Sequence, residues 1–83
     1  MKASTIAWHL ARDNQVKLAK FCNANKVRSE SELFTARDDE HDYFNITYIF
    51  NNGGFITAEM IHGDTKSYTV ADHFQVVNYG LGV

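Results

Sequence analysis

Eighty-three residues, of which 45% are hydrophobic and 22% charged, can form one small core and are too apolar for a disordered chain. The single cysteine, Cys22, excludes an intramolecular disulfide, and no apolar run approaches the ~18 residues of a membrane span. The net charge of −2 is unevenly spread, because residues 1–28 carry six basic and one acidic side chain, whereas residues 29–83 carry two basic and nine acidic ones.

This charge asymmetry predicts either an electrostatically directed surface or a fold whose two halves attract each other. We expect a single domain over residues 1–83. Trp8, His9, Arg12 and Asp13 interrupt any signal-peptide core at the N-terminus, so a cytoplasmic protein is expected.

Residues 4–25 are predicted to form one amphipathic helix, because their apolar side chains fall within one half of the helical wheel. Ser4 or Thr5 is placed to cap the start. Asn14 interrupts the apolar face and leaves room for a kink or break. A competing interpretation makes residues 4–10 a strand. If the helix forms, four side chains are expected to line its core-facing stripe: Leu10, Leu18, Phe21 and Cys22.

Aromatic and β-branched residues predict strands in the middle of the chain. The clearest is YFNITYIF at residues 43–50, and FITAEMIH at 55–62 follows the turn NNGG. KSYTV at 66–70 is predicted as a third strand, and SELFTA at 31–36 as a short fourth one.

The C-terminal segment at residues 70–80 is predicted to form a short helix. Its apolar residues recur at spacings of four, three and four, and Gly80 suits a C-terminal stop. The residues at these spacings are Val70, Phe74, Val77 and Leu81.

The strand register follows from the turn residues. A three-residue loop at 52–54, with Gly54 left-handed, predicts Phe50 opposite Ile56 and Tyr48 opposite Ala58. The same argument at residues 63–65 predicts Tyr68 opposite Met60 and Val70 opposite Ala58. The first register places seven apolar residues on one buried face: Phe44, Ile46, Tyr48, Phe50, Ile56, Ala58 and Met60.

These elements predict an α+β fold. We expect a three- to four-stranded antiparallel β-meander with the N-terminal amphipathic helix and the short C-terminal helix packed on one face.

The acidic run DDEHD at residues 38–42 is the densest cluster of charge in the chain. It lacks the glycine turn and terminal acidic ligand of a calcium loop, and zinc would need more histidine or cysteine. No metal or other cofactor is therefore expected. We interpret the run as a solvated acidic patch for a basic partner, adjoining an interface-like outer sheet face unless residues 33–34 cover that face. The predicted partner-binding residues are Asp38, Asp39, Glu40, Asp42, Tyr43 and Glu59.

Two alternatives use other residues. Basic side chains near Trp8 could contact nucleic-acid phosphates. An enzyme would use His41 or His73, but no nucleophile motif supports one, so no enzymatic activity is expected. The predicted nucleic-acid-binding residues are Arg12, Lys17, Lys20, Lys26 and Arg28.

Small size, missing catalytic motifs and dense charge patches favour a non-enzymatic protein-binding module. In this profile the chain resembles the small inhibitors that phages and mobile elements encode against host machinery, such as anti-CRISPR and anti-restriction proteins. That resemblance implies docking on a larger host protein or protein–nucleic-acid complex, with no membrane partner.

Overall fold

A computed structural model describes residues 2–35, 42–61 and 74–83, and it shows two helices and a four-stranded antiparallel sheet. The strands follow one another in space in chain order, from β1 to β4. The predicted α+β class and antiparallel meander are therefore confirmed. The elements are α1 Ala3–Asp13, α2 Gln15–Ala24, β1 Arg28–Thr35, β2 Asp42–Ile49, β3 Phe55–Ile61 and β4 Phe74–Gly80.

The N-terminal segment is helical but broken at Asn14, which confirms the predicted break and rules out a strand at residues 4–10. Asn14 has extended backbone angles, φ −162° and ψ 124°. Its side-chain Oδ1 accepts hydrogen bonds from the backbone N–H of Val16 at 2.8 Å and of Lys17 at 3.3 Å. The polar residue that interrupts the apolar face thus starts α2 as its N-cap.

The predicted cap at the start of α1 is wrong. Lys2 is the N-cap, and no side chain caps this end. Ser4 is fully buried, and its hydroxyl donates instead to the carbonyl of Leu81 at 2.7 Å. The Ser4 hydroxyl therefore makes a tertiary hydrogen bond to a residue near the C-terminus instead of the local capping bond that the sequence predicted.

The core lies between the helices and the inner face of the sheet. Leu18 and Cys22 are buried as predicted, and Phe21 packs against the core partly buried, whereas Leu10 is only partly buried and outside the cluster. Trp8 also packs against it, which the helical wheel did not indicate. The buried cluster comprises Ala7, Ala11, Leu18, Cys22, Ile46, Tyr48, Phe50, Ile56, Ala58 and Met60.

The predicted buried face of β2 and β3 is confirmed, because six of its seven residues are buried and Phe44 is partly buried against them. The predicted register is wrong by two residues, since Tyr48 pairs with Ile56 and Ile46 with Ala58. The three-residue loop is 51–53, not 52–54. It carries the left-handed conformation at Gly53, φ 85°, rather than at Gly54. A shift by two preserves both faces, so the alternating pattern could not detect it.

The predicted C-terminal helix is wrong, because residues 74–80 form β4 along β3. Phe74 pairs with Met60 and Val76 with Ala58, whereas Tyr79 pairs with Ile56. The register shifts once, so that Val77 is an extra, exposed residue at a β-bulge.

The helical spacing of Phe74 and Val77 is not the spacing of the residues that lie on the inner face, because the bulge leaves Val77 outside the pairing. The bulge brings Phe74, Val76 and Tyr79 onto one face at spacings of two and three, which departs from strict strand alternation. The predicted strand at 66–70, with Tyr68 and Val70, lies outside the described residues. The partners predicted for it, Met60 and Ala58, pair with β4 instead.

Candidate functional site

The outer face of the sheet is a surface that the described helices leave uncovered. Leu33 and Phe34 pair with Phe44 and Tyr43, so they extend the sheet as part of β1 rather than covering its face. None of the described outer-face side chains reaches full burial. They are Arg28, Glu30 and Glu32 on β1, Tyr43, Asn45, Thr47 and Ile49 on β2, Phe55, Thr57 and Glu59 on β3, and Gln75 and Asn78 on β4.

Acidic side chains dominate the charge of this face. Glu32 on β1 and Glu59 on β3 both pair with Asn45 on β2, so they lie in one cross-strand row. Glu30 lies in the next row, two residues away on the same strand. Arg28 approaches it at 3.8 Å, but both side chains are largely exposed, so this pair contributes little stability. The described outer face therefore carries three carboxylates and one guanidinium.

A polar groove of about 450 Å³ runs beside β1 on this face. Asn45 Oδ1 is buried and receives no hydrogen bond from the described residues. The hydroxyls of Thr47 and Thr57 lie 3.0 Å apart and share a hydrogen bond. Carboxylate and amide oxygens accept hydrogen bonds, so the groove is suited to a cationic donor. Its lining residues are Glu30, Ser31, Glu32, Asn45, Thr47 and Thr57.

Two of the predicted partner-binding residues, Tyr43 and Glu59, are brought together on the outer face. Asp42 is the first residue of β2, and its backbone lies opposite Thr35. Asp38, Asp39 and Glu40 lie outside the described residues.

Glu30 and Glu32 join the acidic face but were not predicted to do so. Their signal was present in the sequence, because RSESE at residues 28–32 repeats charged residues with the period of a strand. The segment was too polar to be recognised as a strand over its full length.

The predicted basic set is divided between two sides of the molecule. Lys17 and Lys20 are exposed on α2, whereas Arg28 belongs to the acidic sheet face. Arg12 lies 5.9 Å from the centre of the Trp8 ring. Tyr79 is stacked on the Trp8 ring, with the ring centres 3.9 Å apart. That stacking occupies a ring surface that a nucleic-acid base would need.

Lys26, the remaining member of this set, lines a separate cleft of about 310 Å³. Lys2 reaches the same cleft, and Val27, Ile49 and Phe50 supply apolar lining. Lys26 adopts a positive φ of 54° in the turn between α2 and β1. The cleft shares no lining residue with the acidic groove, so Lys2 and Lys26 belong to a different surface region.

The candidate catalytic groups are the thiol of Cys22 and two histidines. Cys22 is buried, and desolvation raises the pKa of its thiol to about 12, so it is a protonated core residue at neutral pH. His41 and His73 lie outside the described residues. Within residues 2–35, 42–61 and 74–83, no group of three or more His, Cys, Asp or Glu side chains is placed to hold a metal.

No protein family, curated protein or solved structure matches this chain. Neither helix in the described ranges is long and apolar enough to cross a membrane.

Proposed function

We propose that the chain is a non-enzymatic protein-binding module that acts as a small inhibitor in the cytoplasm. It docks on a larger host protein or protein–nucleic-acid complex that presents a basic surface. In its sharpest form, the proposal is a phage or mobile-element inhibitor directed against CRISPR or restriction machinery.

The acidic outer face of the sheet is the observation that carries the proposal. Glu30, Glu32 and Glu59 lie on a face that the described helices leave uncovered, whereas Lys17 and Lys20 lie on the helical layer. Tyr43 and Phe55 on the same acidic face are half-buried aromatic side chains of the kind enriched in interfaces. A basic partner would meet complementary charge and apolar contact on one surface.

The strength of exposed ion pairs predicts whether this surface affects mainly the affinity or mainly the association rate. An exposed ion pair is worth about 0–1 kcal/mol, so no single carboxylate is expected to dominate the affinity. Several like charges on one face raise the association rate, and salt screens this effect. The acidic outer face and the neighbouring acidic run should therefore determine mainly the association rate with the partner.

The direct test starts with a pull-down from host lysate to obtain the partner. Two neutralised variants are then compared with wild type by stopped-flow kinetics over a range of salt concentrations. One carries Asp38→Asn, Asp39→Asn, Glu40→Gln and Asp42→Asn, and the other carries Glu30→Gln, Glu32→Gln and Glu59→Gln. Both should bind more slowly at low salt and show a weaker salt dependence.

Lys17→Gln with Lys20→Gln is the matched control, because it removes charge from the helix side and leaves the acidic side intact. It should leave capture of a basic partner unchanged or accelerate it. Unchanged on-rate and salt dependence in both acidic variants would contradict the proposal. Slower capture in the lysine variant alone would instead favour the nucleic-acid or helix-side alternative.

The inhibitory part of the proposal has a separate test. The chain is expressed in bacteria that carry an active CRISPR or restriction system, and the plating efficiency of a sensitive phage is measured. We expect plating to rise for wild type and to rise less for the acidic variants. If the partner binds but the plating efficiency stays unchanged, the chain is a binding module and the proposed inhibitory role is wrong.

A further inference from the structure

β1 is an edge strand in the described sheet, and its pairing is more regular than that of the opposite edge. All eight of its residues pair with β2 in an unbroken register from Arg28 to Thr35. The other edge, β4, is interrupted by the bulge at Val77. A bulge twists an edge and hinders the addition of another strand, so β1 is the edge better suited to extension.

The hydrogen-bond pattern shows which backbone groups β1 offers. Phe50 N–H donates to the carbonyl of Gly54 at 2.8 Å, which makes them a hydrogen-bonded pair across β2 and β3. Because such pairs alternate along antiparallel strands, odd-numbered β2 residues turn their N–H and C=O groups toward β1. Even-numbered β1 residues therefore bond to β2, and Ser29, Ser31 and Leu33 direct their backbone groups away from the sheet.

The side chains described along this edge, at residues 28–32, leave that part of the strand accessible. Residues 28–32 are exposed on both faces of the strand, including Ser29 and Ser31 on the inner side. The helical layer covers β2 and β3, where the buried sheet residues lie, and no described core residue comes from β1. A further strand could therefore lie beside β1 without displacing a described element.

Charge favours a basic partner strand over a second copy of this chain in two of the three antiparallel self-pairings centred on residues 29–31. Pairing about Ser31 would place Glu30 opposite Glu32. Pairing about Glu30 would place that residue opposite its own copy, with Arg28 opposite Glu32. Only pairing about Ser29, which places Arg28 opposite Glu30, avoids directly opposed carboxylates, and a dimer is therefore one outcome of the test below. Like charges directly opposite each other destabilise a strand pair. A strand with lysine or arginine at alternate positions would instead place cations beside both carboxylates and at the polar groove.

We propose that β1 binds an extended basic segment of the partner protein by strand addition, with lysine or arginine of that segment contacting Glu30 and Glu32. This inference rests on the proposed function, because it specifies how a basic partner would engage the acidic side. Main-chain hydrogen bonds to Ser29 and Ser31 would provide affinity, and the alternating charges would provide specificity.

The experiment uses a nine-residue peptide in which lysine alternates with threonine, and a matched peptide in which glutamate replaces lysine. Both are titrated into the ¹⁵N-labelled full chain, followed by amide exchange measurements. The lysine peptide should bind and protect the amides of Ser29 and Ser31, and the glutamate peptide should do neither. Glu30→Gln with Glu32→Gln should weaken lysine-peptide binding at low salt by on the order of tenfold.

Ser31→Pro separates strand addition from simple charge attraction. Its N–H points away from β2, so proline removes the outward donor without removing a bond of the sheet. It should abolish amide protection at Ser29, whereas the control Ser31→Thr should bind the peptide like wild type. If Ser31→Pro does not fold, exchange protection at Ser29 and Ser31 in the wild-type complex still decides the proposal.

Three results would overturn strand addition: no binding of the lysine peptide, equal binding of both peptides, or binding without protection of the β1 amides. In the third case the proposed acidic-face function would stand, because a basic ligand would still bind. A dimer detected by analytical ultracentrifugation, with β1 amides protected in the absence of peptide, would assign the edge to a second copy and overturn the proposal.

Discussion

Asn52 shows how one side chain connects three distant parts of the chain. Its Nδ2 lies 3.0 Å from Ser4 Oγ, 3.1 Å from the carbonyl of Leu81 and 3.3 Å from that of Val83. Its Oδ1 accepts from the N–H of Gly54 at 2.9 Å. The amide therefore fixes the hairpin turn, the start of α1 and the C-terminal residues relative to one another.

Replacing Asn52 with Asp should destabilise the fold by about 1–3 kcal/mol, because the new carboxylate keeps the acceptor but loses the donor that faces three oxygens. Asn51→Asp is the control, since it adds the same charge one residue away at an exposed position. Urea denaturation of both variants measures the difference. Equal midpoints would show that the Asn52 amide does not stabilise the fold.

Cys22 predicts a change of stability with pH. Desolvation raises its pKa to about 12 in the folded chain, above the ordinary thiol value of 9.0, so the folded state retains a proton that the unfolded state loses. Ionisation of Cys22 should therefore leave the free energy of unfolding unchanged below pH 9. Above pH 9, it should lower the free energy of unfolding by about 1.4 kcal/mol per pH unit until the folded thiol also ionises. Urea melts of wild type and Cys22→Ala across this range measure the contribution, and parallel slopes would refute it.

At the scale of elements, Asn14 determines where one helix ends and the next begins. Asn14→Ala should cost about 1 kcal/mol, because the N–H groups of Val16 and Lys17 lose their acceptor. Asn14→Asp retains a capping oxygen and should stay close to wild type. Thermal unfolding followed by circular dichroism compares the two variants. If alanine were as stable as aspartate, the break would depend on packing rather than on the cap.

At the scale of the whole molecule, the separation of charge predicts which kind of ligand approaches which side. Octalysine should shift the amide resonances of Glu30, Glu32 and Glu59, and added salt should suppress the shifts because these charges are screened. Lys17→Gln with Lys20→Gln should leave this response in place. An oligothymidylate that bound more tightly than octalysine and shifted α2 resonances would contradict the expected preference.

The sequence by itself determined the features that depend on local patterns. Alternating apolar residues from Phe44 to Met60 identified the buried sheet face, and Asn14 within an apolar stripe marked the helix break. A side chain's position along a strand fixes the face on which it lies, so these conclusions needed no knowledge of strand partners. The acidic character of the outer face was predicted only through Glu59 and the neighbouring acidic run.

Only the tertiary structure decided the strand register, the conformation of the C-terminal segment and the contacts between distant parts of the chain. A two-residue shift leaves both faces of a hairpin unchanged, so the alternation could not distinguish Tyr48 opposite Ile56 from Tyr48 opposite Ala58. Phe74 and Val77 have a helical spacing in the sequence, but pairing with β3 overrode that local pattern and left Val77 at a bulge. Ser4 likewise bonds to Leu81 instead of capping α1, because a partner far along the chain comes within reach only when the sheet and helices have packed.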